Sequence, residues 1–233
     1  MSDRSDGVAA VERALAILNV FQHSDEALSL HEIANRTQLY KSTILRLLAS
    51  LIRFRCVQQL ADGRYQLGHA VLHWGSVYQA SLRLDSIVVP VLTELANRTE
   101  EGASFFRREG NVRLCLYRVD SRRSIRDHMH VGDILPLDTG AAGRVLLAFD
   151  PSVPKFPESA VIVTIGEREP DIAAVAAPVF GPGRELRGAI AISGPASRFD
   201  GEAVERFSRD VRDAAIELTR RLGGDAKLFA GLR

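Results

Sequence analysis

Lys41, Ser42, Thr43 and Arg46 crowd the point in ANRTQLYKSTILRLLASL (34–51) where a polar run becomes amphipathic. A helix start needs only one capping side chain, so the remaining donors suit a partner outside the chain. Open amides and the positive end of a helix attract a phosphate oxygen, and hydroxyl and ammonium groups add donors. An arginine one turn further reaches a phosphate or a guanine edge. Tyr40 at the entry to this turn, Arg36 before it and Arg64 beside a later turn extend the set. The chemistry is recognition of a polyanion, double-stranded DNA foremost. The competing reading of any one of them is a simple cap or a solvated cation.

Other candidates are weaker. Thr139-Gly140-Ala141-Ala142-Gly143 precedes an apolar run, where small side chains leave helix-start amides open to a carboxylate. A close-packed turn explains the same residues. His128 and His130, with Asp127 and Asp133, are metal-ligand types, but a third ligand at a telling distance is missing. Glu167 and Glu169 flank Arg168 beside Pro170 and read as a solvated loop, not an acid–base pair. Cys115 lies within VRLCLYRV, where a buried, inert thiol is expected. No Ser-His-Asp order or phosphate loop occurs, so no catalytic residue, metal or cofactor is expected. An enzyme built on the second half of the chain and a protein-interaction module are the alternatives.

The whole-chain balance of 30 basic against 29 acidic residues hides a local excess. Between Arg36 and Arg64 stand Arg36, Lys41, Arg46, Arg53, Arg55 and Arg64 against the single acid Asp62. The two cysteines, Cys56 and Cys115, are isolated and imply no disulfide framework, which fits a reducing, cytoplasmic setting. MSDRSDGVAAVERALAIL lacks the basic start and cleavage signature of a signal peptide. No apolar run approaches the roughly 18 residues a membrane helix needs, and a soluble protein without membrane partner is expected.

The elements that must position these residues follow from periodicity. VAAVERALAILNVF (8–21) predicts a helix burying Val8, Val11, Leu15, Leu18 and Phe21. Ser29-Leu30-His31-Glu32 is a capping box opening a helix over about 30–36. A third helix starts near Lys41, with Ile44, Leu45, Leu47, Leu48 and Leu51 inward. Val57 to Leu60 and Arg64 to Leu67 flank Asp62-Gly63, a two-residue hairpin signal. Three helices and a hairpin make a winged helix-turn-helix over 1–68. HAVLHWGSVYQASLRL predicts a linker helix over 69–85. The remainder, 86–233, is α+β with a mixed or antiparallel sheet. A helix spans IVVPVLTELANRTEE; strands follow in ASFFRREG, VRLCLYRV and IRDHMHV; GAAGRVLLAF is a short helix. AVIVTIG, IAAVAAPVF and LRGAIAIS are strands, and 200–222 is a long amphipathic helix.

VERALAILNVF, LSLHEIANRTQL, YKSTILRLLASL and GRYQLG resemble the N-terminal domain of IclR-type bacterial transcriptional regulators. GDILPLDTGAAGRVLLAF, GEREPDIAAVAAPVF and LRGAIAISGP resemble that family's C-terminal domain. The resemblance implies a GAF-like effector-binding domain, assembly as homodimer or homotetramer, and action as repressor or activator. Trp74 and the apolar residues of 69–84 are then dimer contacts or, alternatively, core. It maps an effector site onto Gly140, Ala141, Ala142, Thr164, Ala174, Ala191 and Ser193. Family members that bind small organic acids often carry polar groups at several of these sites. Apolar Ala174 and Ala191 therefore point to a larger or more apolar acid, aromatic ones included. Arg126 is a candidate counter-ion or an exposed strand arginine. Two departures stand out: DPSVPKFPES (150–159) replaces a longer, helix-containing segment over the pocket, and Arg55 stands where a glycine usually ends the recognition helix.

Overall fold

In the computed structural model, which describes residues 7–232, the chain falls into two compact units dividing between Ser81 and Leu82. The first contains α1 (Ala9–Leu18), α2 (Leu30–Thr37), α3 (Lys41–Arg53) and the strands β1 (Val57–Gln59) and β2 (Tyr65–Leu67), with α4 (His69–Leu82) leading out of it. Its core is Ile17, Leu28, Ile33, Ile44, Leu48, Leu51, Cys56, Val57 and Tyr65.

Local chemistry explains how these elements start and stop. The Ser29 amide donates to the Glu32 carboxylate at 2.8 Å and the Glu32 amide to the Ser29 hydroxyl at 3.3 Å, so the capping box is formed. Gln38 turns left-handed (φ 58°) to end α2. Arg55 does the same (φ 61°) after α3, and the Cys56 amide reaches back to Leu51 C=O at 2.9 Å. This is a Schellman closure carried by a side chain where glycine is the low-cost choice. Gly68 sits against the same corner, where a Cβ would come within 2.1 Å of Arg55 O.

Three sequence expectations are corrected in this unit. α1 runs with Val8, Val11 and Leu15 more than half exposed and Ile17 buried, flanked by half-buried Ala14, Leu18 and Phe21. The helix carries two adjacent apolar stripes, and periodicity does not choose between them. Leu45 of α3 is likewise exposed. The hairpin closes through three residues rather than two: Leu60 N–H donates to Arg64 C=O at 2.8 Å around Ala61, Asp62 and Gly63. Gly63 at φ 87° supplies the left-handed position of such a bulged turn. α4 has no buried residue, and Leu72, Trp74, Val77 and Tyr78 are exposed.

The second unit begins with α5 (Asp85–Thr99), which carries Pro90 in its second turn. Strands β3 (Gly102–Glu109), β4 (Val112–Val119), β5 (Ile134–Pro136), β6 (Ile162–Ile165), β7 (Ile172–Phe180) and β8 (Leu186–Pro195) form a six-stranded sheet ordered β5-β4-β3-β8-β7-β6. Every neighbouring pair is antiparallel. The helix α6 (Gly140–Ala148) packs on β6, β7 and β8, while α7 (Gly201–Arg221), capped by Asp200, packs with α5 and on β7 and β8.

The expected strand IRDHMHV is not one. Arg118 on β4 donates to Asp127 C=O at 3.0 Å, a side chain standing in for a ladder bond. Asp127 and Met129 nonetheless alternate inward, which is the pattern that suggested a strand. Backbone pairing with β4 resumes at Gly132 and Asp133: Gly132 N–H donates to Cys115 C=O at 2.8 Å, and Cys115 N–H to Asp133 C=O at 2.9 Å.

Register places the site. Thr164 pairs with Ala174, Ala174 with Ser193, and Ala176 with Ala191, so these residues share one face of the sheet. Val175, Ile190 and Ile192 point to the other face and are fully buried.

Candidate functional site

At the start of α3 the cap residue Tyr40 makes no side-chain capping bond and is 85% exposed. Lys41, Ser42 and Arg46 are exposed and Thr43 half-buried. Among the described residues none of these side chains has a hydrogen-bond or ion-pair partner, and the α3 amides are left without a side-chain cap. The helix start is therefore polar, positive and open.

Two of the expected DNA contacts are ion-paired within their own domain while staying partly exposed. Arg36 grips Asp25 with both arms and donates to Val20 C=O at 2.8 Å, which ties α2 to the loop after α1. Arg64 folds back on the hairpin, with its Nε 2.7 Å from Asp62 Oδ2. Sequence spacing showed both as basic but not that each had a carboxylate within reach.

In the second unit, Gly140, Ala141, Ala142, Thr164, Ala174, Ala191 and Ser193 all line one cavity. Phe106, Arg113, Asp127, Met129, Arg168 and Ile172 complete its wall. Its interior is about 30 Å³, space for about two waters, because the wall's own side chains fill it. No residue of 150–159 lines it. That segment packs elsewhere: Phe156 lies 5.1 Å from the Phe149 ring and stacks on Phe180 at 5.7 Å. Cover comes instead from Asp127, Met129 and Arg168.

The α6 start needs small residues. Gly140 has φ 73°, and a Cβ on Gly143 would come within 2.3 Å of Leu137 O and 2.4 Å of Arg113 Nη1. Its amides are answered by the chain itself. Ala141 N–H donates to Thr164 Oγ1 at 3.0 Å, and Gly140 N–H to Glu167 Oε2 at 3.1 Å. Arg144 holds Glu167 in place at 2.9 Å.

Asp127, buried, accepts from Ser193 Oγ at 2.6 Å and pairs with Arg168. Its carboxylate is thus engaged away from the exposed His128, and Asp133 accepts the His130 amide at 2.7 Å. Arg126 is exposed. Arg113, only 3% exposed, donates to Thr139 C=O at 2.6 Å and to Pro136 C=O. Burial lowers its pKa to about 10, with the nearby Arg168 charge adding to the effect, so it stays cationic at neutral pH. Burial pushes the Cys115 thiol up to about 12 and leaves it protonated.

Sequence reasoning missed Arg113, Asp127 and Arg168 as cavity residues. Alternation along VRLCLYRV was the available signal for the first: Arg113 shares a face with the buried Cys115, before a bulge turns Tyr117 to the other face.

A winged helix-turn-helix with an open basic helix start, followed by a separate sheet domain, defines a helix-turn-helix transcription regulator. Residues 10–61 match the IclR helix-turn-helix domain, and residues 77–154 and 152–220 match the bacterial transcriptional regulator IclR C-terminal domain. The chain belongs to the IclR family of DNA-binding transcriptional regulators. It is 26% identical to the transcriptional regulator KipR of Bacillus subtilis, over 91% of this chain and 96% of that one. It is 28% identical to the glycerol operon regulatory protein of Streptomyces griseus, over 93% and 97%. Among solved structures, an IclR homologue from Microbacterium hydrocarbonoxydans complexed with 4-hydroxybenzoate superposes with a TM-score of 0.76 at 20% identity, covering 92% of this chain and 99% of that one. KipR and the glycerol operon protein are both named as regulators. No helix among the described residues is long and apolar enough to cross a membrane.

Proposed function

We propose that this regulator is a cytoplasmic homo-oligomer, dimer or tetramer, that reads an operator of two-fold character and responds to a small organic acid. In this reading residues 1–68 bind DNA, 69–85 form the linker and 86–233 the GAF-like effector domain. Tyr40, Lys41, Ser42, Thr43 and Arg46 meet the operator at the α3 start, where donors without intramolecular partners face solvent. Arg64 approaches the backbone from the wing, and Arg36 serves by holding α2. The exposed Leu72, Trp74, Val77 and Tyr78 of α4 supply the apolar face for pairing two chains.

The observation that carries the effector reading is the convergence of Gly140, Ala141, Ala142, Thr164, Ala174, Ala191 and Ser193 on one cavity. The aromatic acid held by the Microbacterium homologue supports an organic acid of similar class here. The effector must favour one arrangement of the paired DNA-binding domains, since equal affinity for both shifts nothing. A mobility-shift titration on the gene's own upstream DNA, at two salt concentrations and with a panel of aliphatic and aromatic carboxylates, tests the reading. Salt-dependent binding altered by one acid supports it. Binding indifferent to every acid removes the effector role, and no binding removes the operator role.

A further inference from the structure

We propose that Arg113 anchors the effector's carboxylate, and that the cavity selects a monoanion with an apolar body, completed between the Arg113 and Arg168 guanidiniums. This rests on the cavity being the effector site and goes further by naming the group that recognises the acid.

The charge balance of the wall is unfinished. Its charged side chains are Arg113, Arg168 and Asp127, two guanidiniums and one carboxylate. Asp127 is committed to Arg168 and to the Ser193 hydroxyl. Arg113 has only neutral acceptors, the carbonyls of Pro136 and Thr139, and the face of the Phe106 ring at 5.6 Å. Its Nε is buried without a partner. The exposed Asp138 acts on Arg113 only through space, without a hydrogen bond. A buried cation with no carboxylate in contact is costly, and a monoanion placed beside it reduces that cost. The nearby Arg168 charge already disfavours the Arg113 cation. An anion between the two offsets that repulsion and gives Arg113 the carboxylate that Arg168 already has in Asp127.

The start of α6 is the rival anchor, and it is already satisfied. Thr164 and Glu167 take the Ala141 and Gly140 amides. A Cβ on Gly140 would lie 3.3 Å from Arg113 Nη2, so the guanidinium runs beneath this first turn. A carboxylate on Arg113 gains from the positive helix end without displacing either internal bond. The planar guanidinium fork matches a carboxylate better than an alcohol or amide. Phe106, Met129, Ile172 and Ala174 offer apolar surface to the rest of the molecule. Arg168, 19% exposed, and the segment carrying Asp127 must yield to admit it, because the interior holds only about 30 Å³.

The test is calorimetric titration of the full chain with benzoate, its neutral analogue benzamide, and isobutyrate. The wild type is expected to bind benzoate at least about tenfold more tightly than benzamide. Arg113→Gln abolishes that preference, and Arg113→Lys, which keeps the charge but not the fork, retains part of it. Thermal melts confirm that the variants are folded. If Arg113→Gln does not fold, the wild-type comparison and Arg113→Lys still decide. Equal affinity for benzoate and benzamide overturns the proposal, as does a preference that survives in Arg113→Gln. Ala174→Leu, which fills the half-buried side of the cavity, separates the two levels. Benzoate binding unaffected by Ala174→Leu moves the effector elsewhere and ends the underlying reading. Binding lost in Ala174→Leu but unchanged in Arg113→Gln ends only the anchor. Absence of binding by either acid at millimolar concentration overturns both.

Discussion

Asp25 and Arg36 are locked across the loop between α1 and α2 by a two-armed ion pair, one arm Nη2–Oδ1 at 2.9 Å. The Arg36 hydrogen bonds and the Gln22 amide hold the Asp25 carboxyl below its ordinary value of 3.8. A depressed acid stabilises the fold above its unfolded pKa and loses that contribution as pH falls through the folded one. Melting of the winged domain is therefore expected to drop on acidification below 3.8, and Arg36→Ala to reduce the drop. An identical acid response in wild type and Arg36→Ala, followed by circular dichroism, would remove the pair from the domain's stability.

The same geometry separates two kinds of arginine in DNA binding. Arg46 has no intramolecular partner among the described residues, so Arg46→Ala is expected to weaken operator binding by about 1–3 kcal/mol and relax one base preference. Lys41→Ala should weaken all sequences alike and reduce the salt slope by about one. Arg36→Ala should shift affinity only as far as it shifts folding. Binding to a randomised operator pool at several salt concentrations checks the three together. A base preference untouched in Arg46→Ala assigns base reading to another side chain.

Much of the first unit was legible because its signals are local. The capping box at Ser29 and Glu32, the order of helices and the hairpin depend on residues a few positions apart. What was illegible depends on distant partners or on a choice between equivalent faces. α1 offers two apolar stripes, and nothing in its own sequence says that Ile17 goes inward while Val11 does not. Asp127 and Arg168 meet 41 positions apart, and Gly140 and Glu167 27 apart. Spacing carries no record of such pairings. Of the effector positions, Thr164, Ala174, Ala191 and Ser193 came only from family resemblance, whereas the small residues 140–142 also carried a local signal. The charges that surround them came only with the fold.

Arg55 is a local conflict between sequence and backbone. Its φ of 61° closes the Schellman turn after α3, and a Cβ in that region costs about 1–2 kcal/mol. Glycine there removes the strain but loses more entropy on folding, about 0.5–1 kcal/mol. Arg55→Gly is thus expected to stabilise the winged domain by about 0.5–1 kcal/mol. Urea denaturation followed by circular dichroism measures it. A loss of stability would mean that the Arg55 side chain contributes more than its backbone costs.

Thr164 does for α6 what the residue at its own cap position does not. Thr139 makes no side-chain capping bond, and the Ala141 amide instead finds the Thr164 hydroxyl across the cavity at 3.0 Å. Ala141 is 1% and Thr164 6% exposed, so water does not readily replace this acceptor. Thr164→Val keeps the shape and strands a buried amide, which is expected to cost about 1–3 kcal/mol. Thr164→Ser restores the oxygen and should recover most of the loss. Because the hydroxyl joins β6 to α6, the loss should appear in the unfolding of the sheet domain and leave the intrinsic DNA affinity of the folded protein unchanged. Equal stability of Thr164→Val and wild type in urea would show that another acceptor closes the helix start.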